Sequence, residues 1–148
     1  SLHQRLFLCK CLFTPIKFPE PGKDAKMNIE NYWKATLAQD ADTMRTFFHR
    51  DAYVNWHNTN EHFAVEDFLR ANCEYPGKWD GEIERTIQTG DLLICVVHVF
   101  STDGKLSFHV TSFLKIKEGK ITSIDEYWGE DGQAPQWRID QQIGTPIS

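Results

Sequence analysis

Apolar residues first recur along this chain at helical spacing. Over residues 28–39 the positions Ile29, Tyr32, Trp33 and Leu37 fall on one face of a 3.6-residue turn, which predicts an amphipathic helix. Asp40 can cap a second, shorter helix whose stripe is Ala41, Met44, Phe47 and Phe48. Residues 53–57 read as a short strand, broken by Asn58-Thr59-Asn60. A third helix is predicted over 64–74, with Glu66 and Asp67 in the first turn, where the helix dipole favours acids. Its stripe of Val65, Phe68 and Leu69 carries one amide, Asn72, and Pro76-Gly77 ends it.

The pattern then changes to strands, predicted over 79–88, 91–101, 106–117 and 120–128. They are separated by Thr89-Gly90, Asp103-Gly104 and Glu118-Gly119, each suited to a two-residue hairpin loop. Helices followed by an antiparallel meander predict an α+β domain with the helices on one sheet face.

Two-residue loops fix the register, and directly opposed residues share a face. The loops as placed set His98 opposite His109, Val96 opposite Thr111 and Ile94 opposite Phe113. They also set Thr111 opposite Glu126, His109 opposite Trp128, and Arg85 opposite Ile94. Trp79, Ile83 and Ile87 alternate with acids and polar residues, which marks their face as the helix-covered one. His98, His109, Thr111 and Glu126 then form a polar cluster on that covered face, beneath Trp128. A buried polar group left unpaired costs about 1–3 kcal/mol, so the cluster is expected to be a hydrogen-bond network or a ligand site. The opposite face, with Leu93, Cys95, Val97, Val99, Val110 and Leu114, is too apolar for water and predicts a homodimer through the outer sheet face.

Candidate chemistry follows from this placement. Glu126 is the expected general acid or base, with His109 and His98 tuning it. Those histidines can equally be satisfied core residues. A metal would need Glu126 as a third ligand beside them, and none is expected. Asn72 and the Asn55-Trp56-His57 strand are expected to look into the same space. Arg85 could bind a substrate carboxylate or reach the rim. Thr111, Phe113, Trp33 and Trp128 complete the expected lining.

Composition narrows the classes further. The 148 residues are 41% apolar and 25% charged, enough for one domain with a core that needs no staples. A formal charge of −5, with bases scattered among acids, gives no nucleic-acid footprint. No segment is long and apolar enough for a transmembrane helix, so no membrane partner is expected. Cys9, Cys11, Cys73 and Cys95 lack zinc-site spacing, and a reduced cytoplasmic setting is the expectation. Residues 1–26 differ in character, apolar and then proline-rich, and are expected to be an extension. The domain is expected over 27–148, with a C-terminal tail from about 129.

Asp51-Ala52-Tyr53-Val54 after paired helices, then Glu118-Gly119-Lys120-Ile121 and Asp125-Glu126-Tyr127-Trp128, resemble the SnoaL-like branch of the nuclear transport factor 2-like superfamily. The run from Tyr127 to Gly132, with Ala134-Pro135-Gln136-Trp137-Arg138, resembles a bacterial subgroup of unassigned role. The resemblance covers roughly Met27 to Trp128. It implies a cone-shaped (cystatin-like) half-barrel of curved antiparallel sheet around N-terminal helices, a small-molecule pocket at the open end, and frequent dimers. Relatives include cyclases, isomerases, dehydratases and epoxide hydrolases working without metal or organic cofactor. Others only bind or scaffold. An acid on the last strand of the cyclases is similar in position to Glu126, whereas the Tyr-and-two-acids pattern of steroid isomerases is not reproduced.

Overall fold

The computed structural model describes residues 15–18 and 26–148. Most of the expected N-terminal extension, with Cys9 and Cys11, lies outside these residues, but Phe18 and Met27 pack against the core.

Helix α1 (Ile29–Leu37) starts at Asn28, whose side chain accepts from the Asn31 amide at 2.9 Å. Helix α2 (Ala41–Arg45) starts at Asp40, which accepts from the Thr43 amide and hydroxyl. The expected stripe of α2 is cut short: the helix ends at Arg45, and Phe48 opens strand β1 (Phe48–Trp56). Pairing overrides local periodicity there, because the Phe47 carbonyl accepts from the Ile121 amide at 2.8 Å. Strand β2 (Glu61–Ala64) was not foreseen, being four residues long with one half-buried side chain. Helix α3 (Val65–Cys73) follows it.

The remaining strands are β3 (Trp79–Thr89), β4 (Leu92–Ser101), β5 (Ser107–Lys117) and β6 (Lys120–Glu130), and a short helix α4 (Gln136–Asp140) lies exposed beyond them. The six strands form one sheet in the order β2-β1-β6-β5-β4-β3. All pairs are antiparallel except β1 with β6, which run parallel. No helix among the described residues is long and apolar enough to cross a membrane.

The hairpin between β4 and β5 has the expected register, with His98 opposite His109 and Ile94 opposite Phe113. Both of its neighbours depart from expectation. Between β3 and β4 the turn is Gly90-Asp91, so Thr89 pairs with Leu92, and a bulge at Glu84 sets Ile83 opposite Val97 but Arg85 opposite Val96. Between β5 and β6 the register slips by one at Thr122, setting Ser112 opposite Glu126 and Val110 opposite Trp128. Side chains alternate with a period of two, so each one-residue slip exchanges faces.

The helix-covered face therefore differs from the expected one. It carries Ile83, Leu93, Cys95, Val97, Val99, Val110, Ser112, Leu114, Ile124, Glu126 and Trp128. These pack with Tyr32, Trp33, Met44, Phe48, Val54, Phe68 and Leu69 into one core. Arg85, His98, His109, Thr111 and Phe113 occupy the other face. The apolar residues behind the homodimer expectation are thus the core itself.

Gly81 sits where α1 approaches the sheet. A Cβ there would lie 2.6 Å from the His98 carbonyl oxygen and 3.1 Å from Leu37. The carbonyl belongs to the paired β4 backbone and cannot rotate away. Gly81→Ala is expected to lower stability by about 1–3 kcal/mol in urea denaturation.

Candidate functional site

A cavity of about 270 Å³ opens between the helices and the covered sheet face. Trp33 and Thr36 reach it from α1, Asn72 from α3, Trp56 from β1, Trp79 from β3 and Trp128 from β6. Tyr75, Phe108, Leu37 and Val99 add apolar wall, and Gln39, Asn58 and Thr59 add polar edge. The aromatic rings form an arc: Tyr75 meets Trp79 at 5.6 Å between centroids, Trp79 meets Phe108 at 6.1 Å, and Phe108 meets Trp128 at 6.3 Å. Rings at such separations support one another edge to face as well as burying area.

Few polar atoms face this wall, and their bonding fixes their orientation. The Asn72 Nδ2 donates to the Thr36 carbonyl at 3.0 Å, which leaves its Oδ1 without a donor among the described residues. Gln39 Nε2 donates to the carbonyls of Asn72 and Tyr75. Asn58 Oδ1 accepts from the Trp128 amide at 2.7 Å.

Glu126 lies on the covered face but does not line the cavity, and it is only 2% exposed. Trp56 connects the two, lining the cavity while its indole N–H donates to Glu126 Oε1 at 3.0 Å. Ser112 Oγ bonds the other carboxyl oxygen at very short range. Burial pushes the Glu126 carboxyl above its ordinary value, and the donors Ser112, Trp56 and Trp128 offset this only in part. The Trp128 indole N–H approaches Glu126 without a well-formed hydrogen bond, and it and the Tyr32 hydroxyl are buried without a hydrogen-bond partner among the described residues. Burial and then the Glu126 charge push the Tyr32 hydroxyl well above its usual range.

Of the residues singled out in the sequence, Trp33, Asn72 and Trp128 reach the cavity and Glu126 lies behind it. The histidines do not. His98 and His109 stack face to face at 4.7 Å on the opposite sheet surface, and Thr111 lies opposite Tyr127 there. The Asp131 carboxylate holds His109 above its usual pKa; burial opposes it, and Glu84 adds a lesser effect in the same direction as Asp131. Phe113 packs edge-on against Tyr127 on that surface. Arg85 is exposed on it.

Asn55 and His57 also face away from the cavity. Asn55 Nδ2 donates to Asp125 Oδ1, and His57 Nε2 lies 2.7 Å from the same oxygen while its ring stacks on Tyr127. The parallel β1–β6 pairing explains this, because it sets Asn55 beside Asp125 and Trp56 beside Glu126. The sequence reading missed Trp79 and Phe108 as lining and Ser112 as the partner of Glu126, and it did not separate Trp56 from Asn55 and His57 in the strand it expected at the pocket. Alternation about Asn55-Trp56-His57 was the one available signal, since the middle residue must face opposite to its neighbours.

An open half-barrel of helices on a curved sheet, with an apolar pocket between the layers, defines the class. The chain belongs to the SnoaL-like domain family, whose profile matches residues 29–124. Among the curated proteins, no sequence matches it. Similar solved structures include an NTF-2 like protein of unknown function from Burkholderia xenovorans (TM-score 0.66, 21% identity, covering 81% of this chain and 92% of that one). A Kribbella flavida protein provisionally assigned as a ketosteroid isomerase aligns with TM-score 0.67 and 20% identity over 81% and 87%. An LEH-like epoxide hydrolase of M. tuberculosis aligns with TM-score 0.57 and 15% identity over 68% and 79%. At these identities the likeness shows the fold alone.

The raised Glu126 pKa has a definite sign for stability. Below the ordinary carboxylate value of 4.5, folded and unfolded chains both carry the proton and no penalty arises. Above it the unfolded chain releases the proton while the folded chain keeps it, so stability falls as pH rises towards the folded pKa. Glu126→Gln, whose amide can serve Trp56 and Ser112 alike, removes this penalty. Denaturation series should show the variant gaining on the wild type above pH 4.5, by at most about 1.4 kcal/mol per pH unit.

Proposed function

We propose that the chain binds a small, neutral, largely apolar molecule in the tryptophan-lined cavity, with Glu126 holding the indole wall in place from behind. The observation that carries this reading is the lining itself. Four tryptophans, Tyr75 and Phe108 surround about 270 Å³, and no charged side chain among the described residues lines it. Such a wall favours a ligand that gains by leaving water and disfavours an ion. Asn72 Oδ1, without a donor among the described residues, suits a hydroxyl or amide hydrogen on the ligand.

The acid–base reading, a cofactor-independent isomerase, cyclase or dehydratase acting on an apolar carbonyl compound, keeps one supporting observation. Burial raises the Glu126 carboxyl above its ordinary value, the direction that favours a carboxyl group acting as general acid. Against it stands the position of the carboxyl, bonded to Trp56 and Ser112 outside the cavity lining. Indole N–H groups do not relay protons, so a substrate would need the Trp56 or Trp128 ring to swing aside. A homodimer remains part of the proposal as the family's frequent state, without a defined face.

Tryptophan fluorescence titrated with a panel of neutral hydroxy and carbonyl compounds tests the two readings together. Binding is expected to weaken roughly tenfold in Asn72→Leu for ligands carrying a hydroxyl group, and to be largely unchanged in Glu126→Gln, with no product formed by either protein. Turnover of a bound carbonyl compound by the wild type and its loss in Glu126→Gln would establish the acid–base reading instead.

A further inference from the structure

On the sheet surface opposite the cavity, four side chains from three strands and the segment after β6 converge. His98 on β4 and His109 on β5 are directly opposed, with rings nearly parallel. Glu84 reaches them from β3, because the bulge at that position adds a residue between Ile83 and Arg85. Bulges re-aim side chains in this way and concentrate at functional sites. His109 Nε2 lies 2.5 Å from Glu84 Oε1, and His109 Nδ1 lies 2.5 Å from Asp131 Oδ1. Asp131 is itself held, since its Oδ2 accepts from Ser107 Oγ at 2.6 Å. His98 Nε2 lies 2.8 Å from that same hydroxyl.

We propose that Glu84, His98 and His109 form a binding site for a divalent first-row transition-metal ion, with Asp131 as the carboxylate that orients His109.

Three observations support the site. One ligand atom from each of the three residues lies within 4.8 Å of the others. Donors around a tetrahedral ion with bonds of about 2.0–2.1 Å stand about 3.3 Å apart, so closure requires movements of up to about 1.5 Å. The three side chains are 33–44% exposed and can make that movement by rotating. Second, the Asp131–His109 contact is the arrangement in which a carboxylate takes one imidazole N–H and directs the other nitrogen's lone pair at a metal. Here that other nitrogen faces Glu84. Third, the cluster is rich in negative charge. Glu84 and Asp131 both converge on His109, Glu82 lies opposite His98, and no lysine or arginine pairs with Glu84 or Asp131 among the described residues.

The donor chemistry selects the ion. Two imidazoles and one carboxylate with open positions suit zinc, nickel, cobalt or ferrous iron, whereas calcium and magnesium prefer all-oxygen sites. The site shares no residue with the cavity lining, so it stands or falls independently of the small-molecule reading.

Isothermal titration of Zn²⁺ and of Ni²⁺ into the full chain without a histidine tag tests the assignment. The expected result is saturable binding of one ion per chain and no comparable binding of Mg²⁺. His98→Gln and Glu84→Gln should each weaken binding on the order of tenfold or more, as should Asp131→Asn, while His49→Gln leaves it unchanged. Melting curves without metal verify that each variant is folded, and Glu84→Gln carries the test alone if His98→Gln is not. Absence of saturable binding of both ions, or affinity unchanged in Glu84→Gln and His98→Gln, overturns the proposal.

Discussion

Hydrogen-bond register governs nearly everything in this molecule. Residues Ile121 and Ile124 are three apart on one strand, yet both are fully buried in the same core. Regular alternation forbids that, and the slip at Thr122 permits it. The same slip turns Glu126 and Trp128 towards the helices and aligns Glu126 with Ser112. Without it the carboxyl group would share a surface with Thr111 and the histidines. The inward carboxyl is then tolerated because Ser112 and Trp56 each donate to one of its oxygens in a place that water does not reach.

Much of the architecture was legible from the chain. The three N-terminal helices, the four-strand meander, the α+β class and the opposition of His98 to His109 all follow from periodicity and turn chemistry. The misplacement of His98 and His109 relative to Glu126 has two local causes, each a single extra residue. The bulge at Glu84 puts the histidines on the face opposite to Trp79 and Ile83, and the slip at Thr122 turns Glu126 away from them. The choice between Thr89-Gly90 and Gly90-Asp91 as the turn moves the β3–β4 pairing by two residues and leaves the faces unchanged. The bulges at Glu84 and Thr122 leave no mark in the sequence, because neither is a glycine and both flanks keep good strand character. Parallel pairing of β1 with β6 joins residues about seventy positions apart, beyond anything a hairpin argument reaches. Asn55 and His57 were misassigned for that reason, and of the Asn55-Trp56-His57 strand expected at the pocket only Trp56 lines it.

The two sheet surfaces divide the chemistry. On the covered side, indole and phenyl rings enclose a space with few polar atoms, and the single acid nearby is bonded behind the wall. On the open side, imidazoles and carboxylates contact one another within reach of solvent. Cys95, an inward residue of β4, belongs to the first regime. Burial pushes its thiol up to about 11, and it accepts from the Trp33 indole at 3.3 Å, so it serves packing rather than thiolate chemistry.

Among the described residues strand β3 closes one side of the sheet with no neighbour beyond it, and at eleven residues it is long for an unpaired margin. Such a margin invites another chain to add a strand, the first step towards amyloid-like stacking. Asp80, Glu82 and Glu84 place negative charges along it, and the irregularity at Glu84 interrupts the ladder of backbone groups that an incoming strand would need. A kink that gathers imidazoles and carboxylates on one surface therefore also gives the folded chain resistance to self-association along its margin.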